Sequence, residues 1–363
     1  MLIHFAWMAA GVVALVAGAD ALVRGASKLA LSLGISPLVV GLTVVAFGTS
    51  SPEMAVSVQA ARSGEVAIAL GNAVGSNIFN VLFILGLSAV LAPLLVNAQL
   101  IRQEVPVMIA ASLLLLALAA DGGISRLDGL LFVALLAVYT AFLIVQSRRE
   151  TLATKNEYAS EFGERAPGGW DAHWGVQVAL VIAGLALLVL GARWLVEAAV
   201  AVARAVGISE LVVGLTIVAA GTSLPEAAAS VVATLRGERD IAVGNVVGSC
   251  TFNILAVLGV CAIVAPVDVP VPASVMSFDL PVMVAVAIAC LPVFLTGRAI
   301  ERWEGGVFLA YYAAYTCYLV LAAQRYEGLP AFTDAMAWFV VPLTLVTLAS
   351  SLAGNLKTPP RRP

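Results

Sequence analysis

Residues 38–53 read LVVGLTVVAFGTSSPE, and residues 211–226 read LVVGLTIVAAGTSLPE. The likeness extends further, because residues 38–87 align with residues 211–260 at a constant offset of 173 and without a gap. Of these 50 aligned positions, 31 carry the same residue. This similarity at a fixed offset indicates an internal duplication, so the architecture can be deduced outward from the repeated stretch.

The composition excludes a water-soluble protein. Of 363 residues, 61% are hydrophobic and 11% are charged, and the mean hydropathy is +1.03. A soluble domain has about 45–50% apolar and about 25% charged residues. So much apolar surface requires a lipid bilayer. The formal charge of −3 and the lack of a basic cluster argue against a nucleic-acid partner, and no feature of the sequence indicates an obligate protein partner.

Long apolar runs predict membrane-spanning helices throughout the chain, because about 20 such residues cross the hydrocarbon core as a helix. The runs lie near residues 3–31, 38–61, 66–94, 104–120 and 126–147, then near 175–204, 210–235, 240–266, 274–296 and 303–323, and finally near 334–354. We expect an all-α polytopic membrane protein with two inverted repeats of five transmembrane helices, which make a ten-helix core, and an extra C-terminal helix. The predicted divisions are the first repeat at 1–147 (motif 38–87), a connector at 148–174, the second repeat at 175–323 (motif 211–260), and the extra helix with a basic tail at 324–363.

The odd number of helices in each predicted repeat means that the two repeats cross the membrane in opposite directions. With this topology, fourteen of the 19 Lys and Arg residues lie on the face of the 148–174 connector, and four lie on the opposite face. Positive residues concentrate on the cytoplasmic side of membrane proteins. We therefore expect a multi-pass protein of the cell (inner or plasma) membrane, with its N-terminus outside and its central loop in the cytoplasm.

The motif Gly-Thr-Ser-x-Pro-Glu lies in the middle of an apolar run in both repeats. Proline removes a main-chain donor and clashes with the preceding turn, and the glycine before it relaxes the chain. The second and seventh helices should therefore be broken near 48–52 and 221–225. Unwound main chain inside a bilayer is tolerated only where it faces protein or water. The motif also supplies hydroxyl groups and a carboxylate, from Thr49, Ser50 and Glu53 and from Thr222, Ser223 and Glu226.

A carboxylate at mid-membrane depth indicates a functional site, because burying it costs roughly 2.5 kcal/mol or more. The second part of the repeat, Gly-Asn-x-Val-Gly-Ser-x-x-Phe-Asn, adds oxygen atoms one helical turn apart, from Ser76 and Asn80 and from Ser249 and Asn253. Glycines at the same spacing (Gly71, Gly75, Gly244 and Gly248) should let the broken helix approach closely. Together these residues predict an all-oxygen cage, the ligand set that hard cations such as Ca²⁺ and Na⁺ prefer.

In a purely structural interpretation of these residues, the glycines and serines only pack helices, and each glutamate pairs with an arginine. Neither repeat has a basic residue at the matching depth, which argues against such pairing. The four cysteines and two histidines (His4 and His173) lie apart in the sequence, so no thiolate or imidazole site is expected, and no cofactor is expected either.

The two repeated segments resemble the α-repeats of the cation/Ca²⁺ exchanger superfamily, in particular its prokaryotic sodium/calcium exchanger branch. The resemblance implies ten core helices, of which the first and the sixth slide as a gating pair past a fixed core. It also implies ion ligands in both repeats, the alanines using their main-chain carbonyl groups. These are Ala46, Thr49, Ser50, Glu53, Ser76 and Asn80, and Ala219, Thr222, Ser223, Glu226, Ser249 and Asn253.

The expected function is therefore secondary active antiport of Na⁺ against Ca²⁺ by alternating access, and not an enzymatic reaction. A Ca²⁺/H⁺ antiporter of the same superfamily is the nearest alternative, although such relatives usually carry an acidic residue where Ser76 and Ser249 stand. A cation channel is a further alternative, but inverted repeats suit alternating access better. An intramembrane hydrolase using Glu53 and Glu226 lacks an evident nucleophile. Several relatives carry Asp at the position of Asn253, and potassium-dependent members use an acidic residue near there. Because Asn80 and Asn253 are both neutral, a potassium requirement is not expected here.

Charged residues inside the first and sixth predicted helices suggest a further feature. Asp20 and Arg24 are four residues apart, and Arg193 and Glu197 occupy the equivalent positions with the signs reversed. Opposite charges at this spacing face each other on a helix. We predict an ion pair within each helix, and a proton relay is the alternative.

Overall fold

The computed structural model describes residues 2–33, 35–149, 173–205, 219–324, 326, 328–342 and 345. Within these ranges, eight helices are long and apolar enough to cross a membrane, and one bent pair of helices can make a ninth span. The predicted span near 210–235 is described only from Ala219 onward. Most of the connector, residues 206–218 and the C-terminal part of the predicted span 334–354 lie outside the described residues. The fold class is confirmed: the chain is an all-α polytopic membrane protein.

The described helices follow in chain order. They are α1 (Leu2–Leu33), α2 (Pro37–Thr49), α3 (Ser51–Arg62), α4 (Val66–Leu91), α5 (Leu100–Asp121), α6 (Arg126–Arg149), α7 (Trp174–Ala205), α8 (Ala219–Gly221), α9 (Leu224–Leu235), α10 (Arg239–Val264), α11 (Val275–Leu295), α12 (Arg302–Ala323) and α13 (Leu329–Ala335). Four two-residue strands lie between them: β1 (Leu94–Leu95), β2 (Gly123–Ile124), β3 (Val269–Pro270) and β4 (Ala299–Ile300).

Helices α1 and α7 pack against each other in antiparallel directions along glycine faces. A Cβ atom at Gly11 would lie 2.8 Å from the carbonyl oxygen of Gly191, and one at Gly18 would lie 2.8 Å from that of Gly184. These glycines recur every seven residues, so they line one face of each helix. Because no side chain separates the two backbones, the helices approach as closely as small residues permit.

The short strands join the two halves of the chain at two places. Strand β1 pairs with β4, and β2 pairs with β3, each in the antiparallel direction. Each pair therefore combines one strand from the first half with one strand from the second half. The core between them is built mainly by α4 and α10, most of whose apolar residues are buried.

The predicted break of the second helix is confirmed. Helices α2 and α3 meet at Ser50 with a bend of 44°. Ser50 has φ −81° and ψ 7°, outside the helical region, and Ser223 at the equivalent place has φ −88° and ψ 9°. Pro52 and Pro225 each lie in the first turn of the following helix, where the missing main-chain donor is tolerated. The same residue pattern thus produces the same break in both halves.

The glycine prediction is confirmed on one side. A Cβ atom at Gly248 would lie 2.7 Å from the carbonyl oxygen of Leu42, and one at Gly244 would lie 3.0 Å from that of Leu38. Helix α10 therefore touches the backbone of α2 directly. The corresponding partner of Gly71 and Gly75 would be residues 211–218, which lie outside the described residues, so that half stays a prediction.

One of the two predicted ion pairs within helices is wrong. Asp20 of α1 pairs with Arg236, which follows α9 by one residue, instead of with Arg24. Ser27 lies two helical turns further along α1. It donates a hydrogen bond of 2.8 Å to Glu238, which lies with Arg236 in the connection between α9 and α10. The pair of Arg193 and Glu197 in α7 is confirmed at 2.7 Å.

Candidate functional site

Glu53 and Glu226 lie side by side in the interior of the protein. Each is in the first turn of a helix that starts at the break, α3 or α9, where the positive end of the helix dipole favours a carboxylate. Their exposed fractions are 1% and 0%. The charge of Glu226 is close enough to act on Glu53, and no lysine or arginine acts on either carboxylate among the described residues.

The serine two residues before each proline forms a hydrogen bond with the glutamate of the other half. Ser50 Oγ donates a hydrogen bond of 2.8 Å to Glu226 Oε1, and Ser223 Oγ donates one of 2.9 Å to Glu53 Oε1. A hydrogen bond to a charged group contributes about 1.5–3 kcal/mol. The two breaks therefore stabilise each other across the interface of the halves.

The serines of α4 and α10 extend this arrangement. Ser249 Oγ lies 3.0 Å from Ser50 Oγ, and Ser76 Oγ lies 3.1 Å from Ser223 Oγ. All four serines are buried, with exposed fractions of 0–2%. The structure thus brings together six of the twelve residues predicted as ligands: two glutamates and four serines.

The predicted threonines make contacts that sequence reasoning missed. Thr49 Oγ1 donates to Asn245 Oδ1 at 3.1 Å, and Thr222 Oγ1 donates to Asn72 Oδ1 at 3.2 Å. Because their protons are used in this way, the lone pairs of both hydroxyl oxygens remain available as acceptors.

Asn72 and Asn245 are themselves fixed by a further serine in each half. Asn72 Nδ2 donates to Ser57 Oγ at 2.9 Å, and Asn245 Nδ2 donates to Ser230 Oγ at 2.9 Å. These four residues were not predicted as part of the site. They are nevertheless identical between the repeats at the offset of 173, and this identity was the signal that could have found them.

The remaining predicted residues have different surroundings. The Ala46 carbonyl oxygen already accepts the Ser50 main-chain N–H at 3.0 Å, and the Thr49 hydroxyl oxygen lies 3.4 Å from it. Ala219 is the first residue of α8. Asn80 and Asn253 are fully buried and each begins a π-helical segment, Asn80–Leu85 and Asn253–Leu258. π-Helical segments are rare in proteins, and those that occur are often found at functional sites.

Several buried polar atoms at this place have no hydrogen-bond partner among the described residues. They are Glu53 Oε2, Glu226 Oε2, Asn253 Oδ1 and both polar atoms of the Asn80 side chain. Buried polar groups in proteins are nearly always paired, because an unpaired one costs about 1–3 kcal/mol and a charged one costs more. Four of these five atoms are oxygens, so the group that would satisfy them is a cation.

The ligands available at the site are oxygen atoms, whereas softer metals are bound by thiolate and imidazole groups. No group of three or more His, Cys, Asp or Glu residues comes together in the described part of the chain. The donors are two carboxylates with neutral hydroxyl and amide oxygens, which suit Na⁺, Ca²⁺ and similar hard ions.

Comparison with known proteins agrees with a cation site. The sodium/calcium exchanger protein family matches residues 3–145 and 176–321. The chain belongs to this family. Its members are transporters of inorganic cations and not enzymes, so the chain is a multi-pass membrane antiporter for cations.

Individual relatives cover most of the chain. The sodium/calcium exchanger MaX1 of Methanosarcina acetivorans is 33% identical over 348 residues, which cover 86% of this chain and 97% of MaX1. The inner membrane protein YrbG of Escherichia coli is 38% identical over 272 residues, 74% of this chain and 82% of YrbG. The solved structure of the sodium/calcium exchanger from Methanococcus jannaschii superposes with a TM-score of 0.74 at 29% identity, covering 87% of this chain and 99% of that one.

Proposed function

We propose that this family member is a secondary active antiporter that exchanges Na⁺ for Ca²⁺, with the ions bound between Glu53 and Glu226. The observation that carries the proposal is the hydrogen bonding of the two carboxylates. Each has one oxygen held by a serine of the other half and one buried oxygen that has no partner among the described residues. No lysine or arginine in the described part of the chain acts on either carboxylate, so positive charge from a ligand would balance them.

The charge and the number of oxygens suit the proposed ions. Two carboxylates balance one Ca²⁺, or two Na⁺ with help from neutral oxygens. Ca²⁺ takes six to eight oxygen ligands, which exceeds what two glutamates supply. The proposed remaining ligands are the other predicted residues: Ala46, Thr49, Ser50, Ser76 and Asn80, and Ala219, Thr222, Ser223, Ser249 and Asn253.

Alternating access is supported by the pairing of the two halves. Because every contact of Ser50 with Glu226 has a counterpart in Ser223 with Glu53, the site is equally placed to open toward either side. Helices α1 and α7 contact each other through glycines, so they can move together as one unit past the core. We propose that this pair gates the site from alternate sides.

The orientation in the membrane is part of the same proposal. The excess of Lys and Arg on the connector side supports a cytoplasmic connector and an external N-terminus. A location in the cell membrane agrees with the name of the relative YrbG, an inner membrane protein. Labelling with a membrane-impermeant maleimide tests the orientation. In intact cells it should react with His4→Cys and not with Glu157→Cys in the connector.

Transport in proteoliposomes tests the exchange reaction. Purified protein would be reconstituted in vesicles loaded with Na⁺, K⁺ or a buffer of low pH, and uptake of external Ca²⁺ would be measured. An outward Na⁺ gradient alone should drive uptake, without K⁺ and without a pH gradient. Uptake that follows the pH gradient and ignores Na⁺ would replace this proposal with Ca²⁺/H⁺ exchange. Downhill Ca²⁺ flux without a counter-ion would indicate a channel.

A further inference from the structure

Residues 77 and 250 are one pair of equivalent positions, next to the site serines Ser76 and Ser249, at which the two halves differ. Asn77 occupies the first and Cys250 the second, at the offset of 173. The two residues touch: Asn77 Nδ2 donates to the Cys250 carbonyl oxygen at 3.0 Å, and Cys250 Sγ donates to the Asn77 carbonyl oxygen at 3.8 Å. A residue that contacts its own equivalent lies on the axis relating the repeats. The symmetry is therefore broken at the axis itself.

This difference reaches the two candidate ligands that lie one turn beyond the site serines. Asn77 Oδ1 accepts a hydrogen bond of 3.1 Å from Asn253 Nδ2. The symmetric contact would be an acceptor at position 250 for the amide of Asn80. Cys250 has no amide oxygen, and sulfur is a weak acceptor. The Asn80 side chain lies near the Cys250 thiol. Among the described residues, however, neither of its polar atoms has a hydrogen-bond partner, whereas for Asn253 only Oδ1 lacks one.

A hydrogen bond to the amide nitrogen decides which end of an asparagine faces a cation. The carboxamide has an oxygen that attracts a cation and an NH₂ group that repels it. Because Asn77 accepts a hydrogen bond from the nitrogen of Asn253, the oxygen of Asn253, which has no partner among the described residues, is the end left for a cation. Asn80 has no oxygen acceptor for its amide nitrogen among the described residues, and the Cys250 sulfur beside it is a weak acceptor, so its amide is held less firmly.

We propose that Asn77 is a positioning residue that fixes the Asn253 carboxamide as an oxygen ligand, and that Cys250 withholds the same restraint from Asn80. The proposal rests on the cation site proposed above. The half of the site that contains Asn253 is then preorganised, and the half that contains Asn80 is adjustable. A preorganised ligand binds with a smaller cost of ordering, so the two asparagines contribute unequally to ion affinity.

A variant series at position 77 separates orientation from a merely structural role. Asn77→Leu removes the acceptor in two backgrounds, the parent and Asn253→Asp, and Ca²⁺ binding to the purified protein is measured by titration calorimetry. In the parent, the Kd should rise by about ten-fold, as expected for the loss of one hydrogen bond of ordinary strength. In the Asn253→Asp background both side-chain ends are oxygens, so orientation no longer matters and the Kd should change by less than about two-fold. An equal rise of Kd in both backgrounds would show that Asn77 only supports the packing.

A second arm tests the inequality of the two halves without an acidic variant. Asn253→Ala should raise the Kd for Ca²⁺ more than Asn80→Ala does in the parent. After Cys250→Asn, which gives Asn80 an acceptor, the loss caused by Asn80→Ala should grow toward that of Asn253→Ala. Equal losses of affinity in the parent would overturn the proposal.

If Glu53→Gln leaves Ca²⁺ binding intact, the cation site itself is wrong. If that variant abolishes binding while these asparagine comparisons show no difference, only the positioning role is wrong.

Discussion

The hydroxyl group of Ser50 donates a hydrogen bond of 2.8 Å to the carboxylate of Glu226 in the other half of the chain. The equivalent bond, from Ser223 to Glu53, is 2.9 Å long. Each broken helix therefore presents its own carboxylate to the site while its serine holds the carboxylate of the other. The exchange of partners makes the two breaks one unit, in which neither half can form the site alone.

The first prediction concerns the two glutamates. Glu53→Gln or Glu226→Gln should abolish Na⁺-driven Ca²⁺ uptake, because the removed charge compensates a dehydrated divalent ion. The folded protein should survive, since a neutral amide costs less inside the membrane than a carboxylate does. Uptake by proteoliposomes and the elution profile in gel filtration measure the two effects.

The control for this prediction is Glu65→Gln. Glu65 is exposed and lies in the turn before α4, so its loss should leave uptake near the parent rate. Substantial uptake by both site variants would mean that the ions bind elsewhere.

The second prediction concerns the exchanged hydrogen bonds. Ser50→Ala and Ser223→Ala should weaken Ca²⁺ binding by similar amounts, each by about 1.5–3 kcal/mol, the contribution of a hydrogen bond to a charged group. Titration calorimetry measures the affinity. Ser51→Ala is the matched control, because Ser51 is exposed and bonds only to the Phe47 carbonyl oxygen at 3.1 Å. A large loss for one site serine and none for the other would contradict the equivalence of the two bonds.

The repeat made most of the fold and the centre of the site predictable. The helix break follows from local rules on glycine and proline, which depend only on neighbouring residues. The meeting of Glu53 with Glu226 follows from the duplication, because equivalent residues of inverted repeats approach the axis between them. The supporting contacts of Asn72 and Asn245 could not be predicted, because the side-chain amide of a repeated asparagine can either bind an ion or hold another side chain in place. Only the three-dimensional structure distinguishes these two roles.

The pairing of Asp20 could not be predicted from local sequence. Arg24 is one turn away on the same helix, which is the favourable spacing for a pair. Arg236 is 216 residues away in the chain, and it comes close only because α1 packs beside the turn that follows α9. Tertiary packing decided between two available cations, and no pattern along the sequence records that choice.

The third prediction follows from this contact. Asp20 and Arg236 are partly exposed, with side-chain exposures of 42% and 30%, so the coupling between them should be roughly 0.2–1 kcal/mol. Asp20→Asn, Arg236→Gln and the double variant form a cycle that measures it by unfolding of the detergent-solubilised protein. The coupling should shrink in about 1 M salt, because the ions screen partly exposed charges. A coupling of zero at low salt would show that the pair has no energetic role.

The fourth prediction concerns the contact of α1 with α7. Gly18→Ala should destabilise the protein by about 1–3 kcal/mol, because the added Cβ would lie 2.8 Å from the Gly184 carbonyl oxygen and force the backbones apart. Gly306→Ala is the control, since no atom lies within 4 Å of its added Cβ. Replacing a helical glycine by alanine at an open position is neutral or stabilising. Thermal unfolding measures both, and equal melting temperatures would argue against close packing of the two helices.

The last prediction concerns the charge of the site. Asn253→Asp adds a third carboxylate one turn from Ser249, beside a pair that already balances one Ca²⁺. Carboxylates within about 4–6 Å repel one another, and the repulsion is relieved when one of them binds a proton or when another monovalent cation enters. Ca²⁺ uptake by the variant should therefore depend more strongly on pH near neutrality, or on added K⁺, than uptake by the parent does. Asn97→Asp is a control that adds the same charge outside the site, in the loop between β1 and α5, and it should retain the parent's response. Identical pH and K⁺ responses in Asn253→Asp and the parent would place Asn253 outside the ion cage, since a charge added within it cannot be without effect on the ions it holds.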